Sequence, residues 1–302
     1  MENYKKLIGS ITIITFSYAA SRLLGFFREI LLANWAGVSE ATDTLDLAFI
    51  IPDFLFYLSA GGYLAITLIP IMSEKKKSEL NNYFLSILYG MSLIFVVFSL
   101  ITYSFRFQFA ELLGVTSLNF FVEVFTPIIF SQVFFFVGAI LMSYQYFHDN
   151  FKYAAIAPVV YNSTIIFFGW INSSTPEGTI KGFAIGTLIG SVLGHFLIQI
   201  YGAKRSGLSF YLISPKFIHI KDYITISLPL ILGQSIAVID EQLFRVFGSF
   251  LAAGSIATFR YARRIALLPV GIVAQAVGVA SYPLLSRLFH KNEIDELVKL
   301  IK

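Results

Sequence analysis

Long apolar runs separated by short polar punctuation set the rhythm of this chain. Eight runs stand out, at 7–33, 42–72, 83–105, 119–147, 153–172, 180–202, 222–249 and 255–286, with Glu, Lys, Asn, Ser or Gly between them. Crossing the hydrocarbon core takes about 20 mostly apolar residues in a helix. Backbone polar groups must be satisfied within lipid, so runs of this length predict helices. A membrane barrel would alternate apolar and polar residues instead, and no alternation is visible. The pattern predicts an all-α, polytopic transmembrane helical bundle. In the first run, Lys5 and Lys6 precede an apolar stretch and Tyr18-Ala19-Ala20-Ser21 loosely resembles a signal-peptide cleavage site. Tyr18 is too large for the small-residue position and the run continues to Trp35, so it reads as a span.

Composition agrees: 57% of the 302 residues are hydrophobic and 13% charged, against roughly 45–50% and 25% in soluble domains. Without cysteine there is neither a disulfide framework nor a thiolate metal site, and four scattered histidines suggest no metal centre. The formal charge of +4 takes its meaning from position. Over alternate ends of the spans, one side holds 14 Lys and Arg, namely 5, 6, 75, 76, 77, 152, 204, 205, 216, 221, 287, 291, 299 and 302. The other holds Arg106 and Lys181. By the positive-inside rule both termini are expected in the cytoplasm, and the basic balance is topological, with no nucleic-acid partner expected.

Sliding the chain by 217 residues lays Arg28 on Arg245, Ala36 on Ala253, Gly37 on Gly254, Pro52 on Pro269 and Gly61 on Gly278. Each copy is a helix ending in a short outer loop, followed by a charged helix start and a mid-helix proline. The shift carries spans one and two onto seven and eight in the same orientation. Transporters built from such parallel repeats place the substrate path between the halves. The reading that follows is a six-helix lobe over 1–202, a cytoplasmic linker over 203–221, and the first two helices of a second lobe plus a charged tail over 222–302. By the repeat, a complete second half would need about four more helices, which suggests a fragment or a shortened protein.

Charges inside spans cost at least about 2.5–3.5 kcal/mol each and normally face a partner or a wet cavity. Span one carries Arg22, Arg28 and Glu29; span two Asp43, Asp46 and Asp53; span seven Asp240, Glu241 and Arg245; span eight Arg260, Arg263 and Arg264. At about 100° per residue, the three aspartates fall within about 80° and the three arginines, with Gln275, within about 100°. Neither stripe suits lipid, so the four charged helices are expected to line a cavity, with spans three to six packing around it. Arginine binds phosphate oxygens bidentately and stays charged when desolvated, which points to a phosphate or diphosphate ligand. The bland alternative is mutual pairing, and Glu241 with Arg245 at i,i+4 reads as an intrahelical pair. Arg28, Glu29, Asp43, Arg245 and Arg260 stand near the outer loops, as a cross-half latch or as snorkelling interfacial groups. No phosphate-loop motif, metal-ligand cluster or catalytic triad is present, so no enzyme is expected. Coupling to membrane potential or a monovalent ion would then drive transport, with Asp43, Asp46, Asp53 and Glu123 as candidate cation sites and no other cofactor.

Three stretches together resemble the MurJ/MviN lipid II flippases of the MOP transporter superfamily. They are Ser21-Arg22-Leu23-Leu24-Gly25-Phe26-Phe27-Arg28-Glu29; then Ala41-Thr42-Asp43 with Ile51-Pro52 and Pro70-Ile71-Met72-Ser73; and finally Gly254-Ser255-Ile256, Tyr261-Ala262-Arg263-Arg264, Pro269-Val270-Gly271, Tyr282-Pro283 and Ser286. The resemblance implies a two-lobe, MATE-like fold of which this chain matches the first eight helices. It implies Arg22, Arg28 and Arg264 in a central cavity, with Asp43 opening the second span. The implied activity is alternating access of an undecaprenyl-diphosphate-linked peptidoglycan precursor across a bacterial inner membrane, with cell-wall synthesis proteins as further candidate partners. One departure stands out: Phe56, Tyr57 and Ala60-Gly61-Gly62 replace an arginine-bearing stretch and an Ala-Glu-Gly step. It leaves open an O-antigen or exopolysaccharide lipid as substrate. A drug or cation antiporter would want an acidic, aromatic cavity instead, and a non-transporting membrane scaffold is the alternative from another class.

Overall fold

The computed structural model describes residues 20–59 and 63–267, apart from the side chains of 56–59, 63–66, 230–238 and 241. The repeat positions Gly61, Pro269 and Gly278, the side chains of Phe56 and Glu241, Gln275 and the charged tail lie outside the described residues. The described residues are helical, with no strand among them. The chain divides into two compact units, 1–257 and 258–302.

In the first unit, α1 covers 20–35 and ends at Gly37, whose φ of 65° turns the chain outside the range that side chains favour. Ser39 then caps α2 (Glu40–Ala48), its hydroxyl accepting from the Thr42 N–H at 3.3 Å. The second run, expected as one helix over 42–72, steps at Phe49 between α2 and α3 (Ile50–Ser59); α4 (Tyr63–Ser73) follows on the far side of residues 60–62, which lie outside the described residues. Proline explains the step. Pro52 offers no N–H to the Ala48 carbonyl four residues earlier, and the helix steps at Phe49, whose N–H is shared between Leu45 and Asp46 carbonyls at 3.3 Å.

The next runs form as expected: α5 (Lys77–Ser104), α7 (Leu118–Phe147) and α8 (Lys152–Ile171), with a short helix α6 (Arg106–Leu112) between α5 and α7. The sixth run is α9 (Pro176–Gly190), a π-helical segment (Ser191–Leu197) and α10 (Ile198–Arg205), continuous over 30 residues. Four helices, those over 77–104, 118–147, 152–171 and 176–205, are long and apolar enough to cross a membrane. After a connector over 206–216 come α11 (Phe217–Gly248) and α12 over 255–267. Together they make a multi-pass membrane protein.

α7 runs through the centre. Phe121, Val124, Phe125 and Ile128 anchor the core at one end, and Phe136, Ile140, Leu141 and Tyr144 anchor it at the other. The outer face of α5 carries Leu93, Val97, Leu100 and Ile101 exposed, at the three- and four-residue spacing of a lipid-facing stripe. Span six packs most closely on α8, through glycine at every fourth position: 178, 182, 186, 190 and 194. A Cβ on Gly186 would fall 2.7 Å from the Ile165 Cα, and one on Gly194 would fall 2.7 Å from the Ala157 carbonyl oxygen. In lipid, where burial against a neighbour gains little hydrophobic energy, such close backbone approach is what binds helices. Hydroxyls within spans turn back on their own helix: Thr126, Thr164, Thr187 and Ser227 donate to carbonyls four residues earlier. Gln145 donates to the Gln199 side-chain oxygen at 2.8 Å, and Gln199 donates in turn to the Tyr153 and Gly194 carbonyls.

The loops gather alternately at two ends. At one, Val38 packs on Gly254, Thr116 donates to Glu40, and Lys181 pairs with Glu123. At the other, Asn150 donates to Ser206, and Asn81 meets Ser209.

Of the second unit, 258–267 is described, as the continuation of α12. Within it the Arg260 guanidinium lies over the Tyr261 ring, 4.8 Å from its centroid.

Candidate functional site

Three charged clusters tie elements together in the half of the molecule that holds the Val38–Gly254 loops. On α1, the Arg28 guanidinium pairs with Glu29 at 2.9 Å and donates to the Asn162 side-chain oxygen at 3.2 Å. Glu29 is buried, at 6% exposure. Asn162 is held in turn by its own N–H group donating to the Pro158 carbonyl at 2.8 Å, which fixes the amide with its oxygen toward Arg28. Arg28, half-buried, is both neutralised by Glu29 and aimed by Asn162.

On α3, Asp53 accepts from Arg245 of α11 at 2.7 Å. The i,i+4 spacing of Glu241 and Arg245 predicts an intrahelical pair, which falls on a side chain outside the described residues; Arg245, nearly buried, reaches across to another helix, where Asp53 supplies a carboxylate. Gln242 sits one turn before Arg245 on the same face. It is buried, and neither of its amide atoms has a hydrogen-bond partner among the described residues.

On α2, Asp43 does not face an open cavity. Its two carboxylate oxygens accept from the backbone N–H groups of Gly254 at 2.6 Å and Ala257 at 2.7 Å. These are orphan donors at the start of α12, and an aspartate from another helix caps them, with its charge at the positive end of that helix. Gly254 makes this approach achievable: its φ is 87°, and a Cβ there would fall 2.6 Å from a Val38 methyl group. The two glycines that the internal repeat superimposes, Gly37 and Gly254, thus have the same backbone hand, and each precedes a helix.

The remaining expected residues are dispersed. Asp46 is buried on α2, while Arg22 on α1 and Asp240 on α11 are exposed. Arg260, Arg263 and Arg264 belong to the second unit, along α12, with Arg263 and Arg264 exposed. Glu123, a candidate cation site by sequence, pairs with Lys181 at the end that holds the Val38–Gly254 loops. Sequence reasoning missed Asn162, since span five was given only a packing role. The available signal was the polar run Asn162-Ser163-Thr164 inside an apolar helix, four residues after a proline. No His, Asp, Glu and Cys cluster among the described residues suits a metal ion.

The family model described as lipid II flippase MurJ matches residues 32–302. A probable lipid II flippase MurJ of Buchnera aphidicola subsp. Baizongia pistaciae is 28% identical over 99% of this chain and 60% of its own length. The lipid II flippase MurJ of Thermosipho africanus is 32% identical over 61% of this chain and 40% of its own length. A solved structure of a lipid II flippase MurJ in an inward closed conformation superposes with a TM-score of 0.77 at 26% identity, covering 93% of this chain and 59% of that one. The chain therefore spans about 60% of the length of the first of these relatives and of the solved structure.

Proposed function

This chain belongs to the lipid II flippase MurJ family, and on that premise we propose that it forms the larger part of a flippase for undecaprenyl-diphosphate-linked peptidoglycan precursor. Members of such a family are transporters rather than enzymes. The reading places both termini and the connector in the cytoplasm, with the Val38–Gly254 loops toward the periplasm, in line with the distribution of Lys and Arg. The observation that carries it is the capping of α12 by Asp43. It joins a first-lobe helix to a second-lobe helix through one charged side chain, which is the form a reversible outer gate needs. The Asp53–Arg245 pair adds a second tie.

In this mechanism the outer ties hold the periplasmic side shut while the diphosphate enters from the cytoplasmic leaflet. Arg22 and Arg28 take the phosphate oxygens, Arg28 already oriented by Glu29 and Asn162; Arg264 remains a candidate substrate residue by the family motif it matches. Arg260 and Arg263 extend the cationic face of α12. With substrate bound, the Asp43 cap and the Asp53–Arg245 pair release, and the lobes rock to open outward. Asp46 and Asp240 are the candidates for coupling to a monovalent cation or to membrane potential.

The test is complementation of a bacterium depleted of its own lipid II flippase. The chain is supplied alone and joined to any coding sequence that follows it, each also as Arg22→Ala and Arg264→Ala. The expected result is rescue by at least one length, lost in both substitutions at equal expression. Failure of every well-expressed form would turn the assignment to a different polyprenyl-diphosphate glycan or to a scaffold.

A further inference from the structure

The connector between α10 and α11 passes across α5, and its backbone is pinned there by side chains rather than by regular structure. The Asn81 amide donates to the Ser209 carbonyl at 2.9 Å and accepts from the Ser209 N–H at 3.2 Å. The Tyr89 hydroxyl donates to the Tyr211 carbonyl at 3.2 Å, and the Tyr211 hydroxyl bonds the Asn82 side chain at 2.5 Å. The Lys216 N–H donates to the Ser86 hydroxyl at 2.6 Å. One side of the strap is therefore spent on the protein, where Leu208 is buried and Phe210 and Ile213 pack against the core.

The other side is apolar and basic. Leu212 is 97% exposed and Phe217 78%, with Ile218 beside them. The 18 residues from Lys204 to Lys221 hold four Lys or Arg (204, 205, 216 and 221) and no Asp or Glu, and all four cations are exposed. Height in the membrane follows from the anchor points. The strap is held by residues 81 to 89 of α5, and the apolar run of that helix starts at 83. It thus lies level with the first turns of the span and not out in the cytosol. Large apolar side chains at that depth, with four exposed cations along the strap and Asp222 directly after it, match the boundary between acyl chains and anionic headgroups.

We propose that this strap is a binding surface for anionic phospholipid of the cytoplasmic leaflet: Leu212, Phe217 and Ile218 enter the acyl boundary, and Lys204, Arg205, Lys216 and Lys221 gather the headgroups. By holding lipid here, the strap fixes the cytoplasmic start of α11 against α5. The proposal rests on the membrane-spanning reading of the helices and is independent of flippase activity.

The chain has no cysteine, so one introduced label is specific. Leu212→Cys, which disturbs no packing at a fully exposed position, is labelled with an environment-sensitive fluorophore and reconstituted in mixed phosphatidylcholine and phosphatidylglycerol bilayers. Trace nitroxide-bearing lipid is added as either headgroup. The expected result is a blue-shifted emission, quenched several-fold more by nitroxide phosphatidylglycerol than by nitroxide phosphatidylcholine at equal mole fraction. Replacing the four cations with Gln brings the two quenchers level. A water-like emission overturns the membrane placement. Equal quenching by both headgroups in the unsubstituted chain, or a preference that survives the four Gln substitutions, overturns the anionic recognition.

Discussion

At the residue scale, the charges of this protein work mostly by meeting backbone and one another. Asp43 spends both oxygens on the N–H groups of Gly254 and Ala257. Hydrogen bonds involving a charged partner contribute about 1.5–3 kcal/mol each, and an abandoned buried N–H costs about 1–3 kcal/mol. Asp43→Ala is therefore expected to lower the unfolding midpoint of the purified chain in detergent clearly. Asp43→Asn, which keeps one acceptor oxygen, should lose roughly half as much. Equal midpoints for Asp43→Ala and the unsubstituted chain in a thermal melt would show that the cap does not hold α12.

At the element scale, the decisive features are close approaches. The glycines of span six let α8 lie backbone to backbone with α9 and the π segment. Gly186→Ala forces its methyl group against the Ile165 Cα, an overpacking of about 1–3 kcal/mol. A lower melting midpoint is expected, and Gly186→Leu should not yield a folded chain by size exclusion. The start of α11 carries a second element-scale expectation. His219 lies against Tyr83, ring centroids 4.6 Å apart. Its pKa is lowered below the usual 6.5 by burial and by the neighbouring Lys216 and Lys75, with Asp222 acting the other way. A folded-state pKa below the unfolded one means that the unfolded chain binds the proton more readily. Stability should then be full above about pH 6.5, fall as pH drops from there to the folded pKa, and level off below it. His219→Gln is expected to flatten that part of the profile of melting midpoint against pH.

At the scale of the whole molecule, the loops alternate between two ends, and the proposed orientation is checked by single cysteines. Ser174→Cys, exposed between α8 and α9, should react with an impermeant maleimide in intact cells. Glu74→Cys, exposed between α4 and α5, should react only after permeabilisation. The reverse pattern would invert the molecule and, with it, the direction assigned to the gate. The fold legible in the sequence was extensive at this scale: α5, α7 and α8 and the span over 176–205 follow the apolar runs closely. Less was legible where one run contained a break. The run over 42–72 steps at Phe49 because Pro52 deprives the Ala48 carbonyl of its donor, and hydropathy does not register a single missing N–H.

The sequence by itself determined the helical, membrane-spanning architecture, the alternation of loops, the internal repeat and the family, because apolar run length, Lys and Arg placement and motif order are all written along one dimension. Tertiary structure decided who pairs with whom. Arg245 of α11 takes Asp53 of α3, Asp43 caps a helix more than two hundred residues away, and Asn162, silent in the sequence reading, aims Arg28. Hydrogen bonds and ion pairs act over about 3 Å, and which groups come that close depends on how helices distant in sequence are packed.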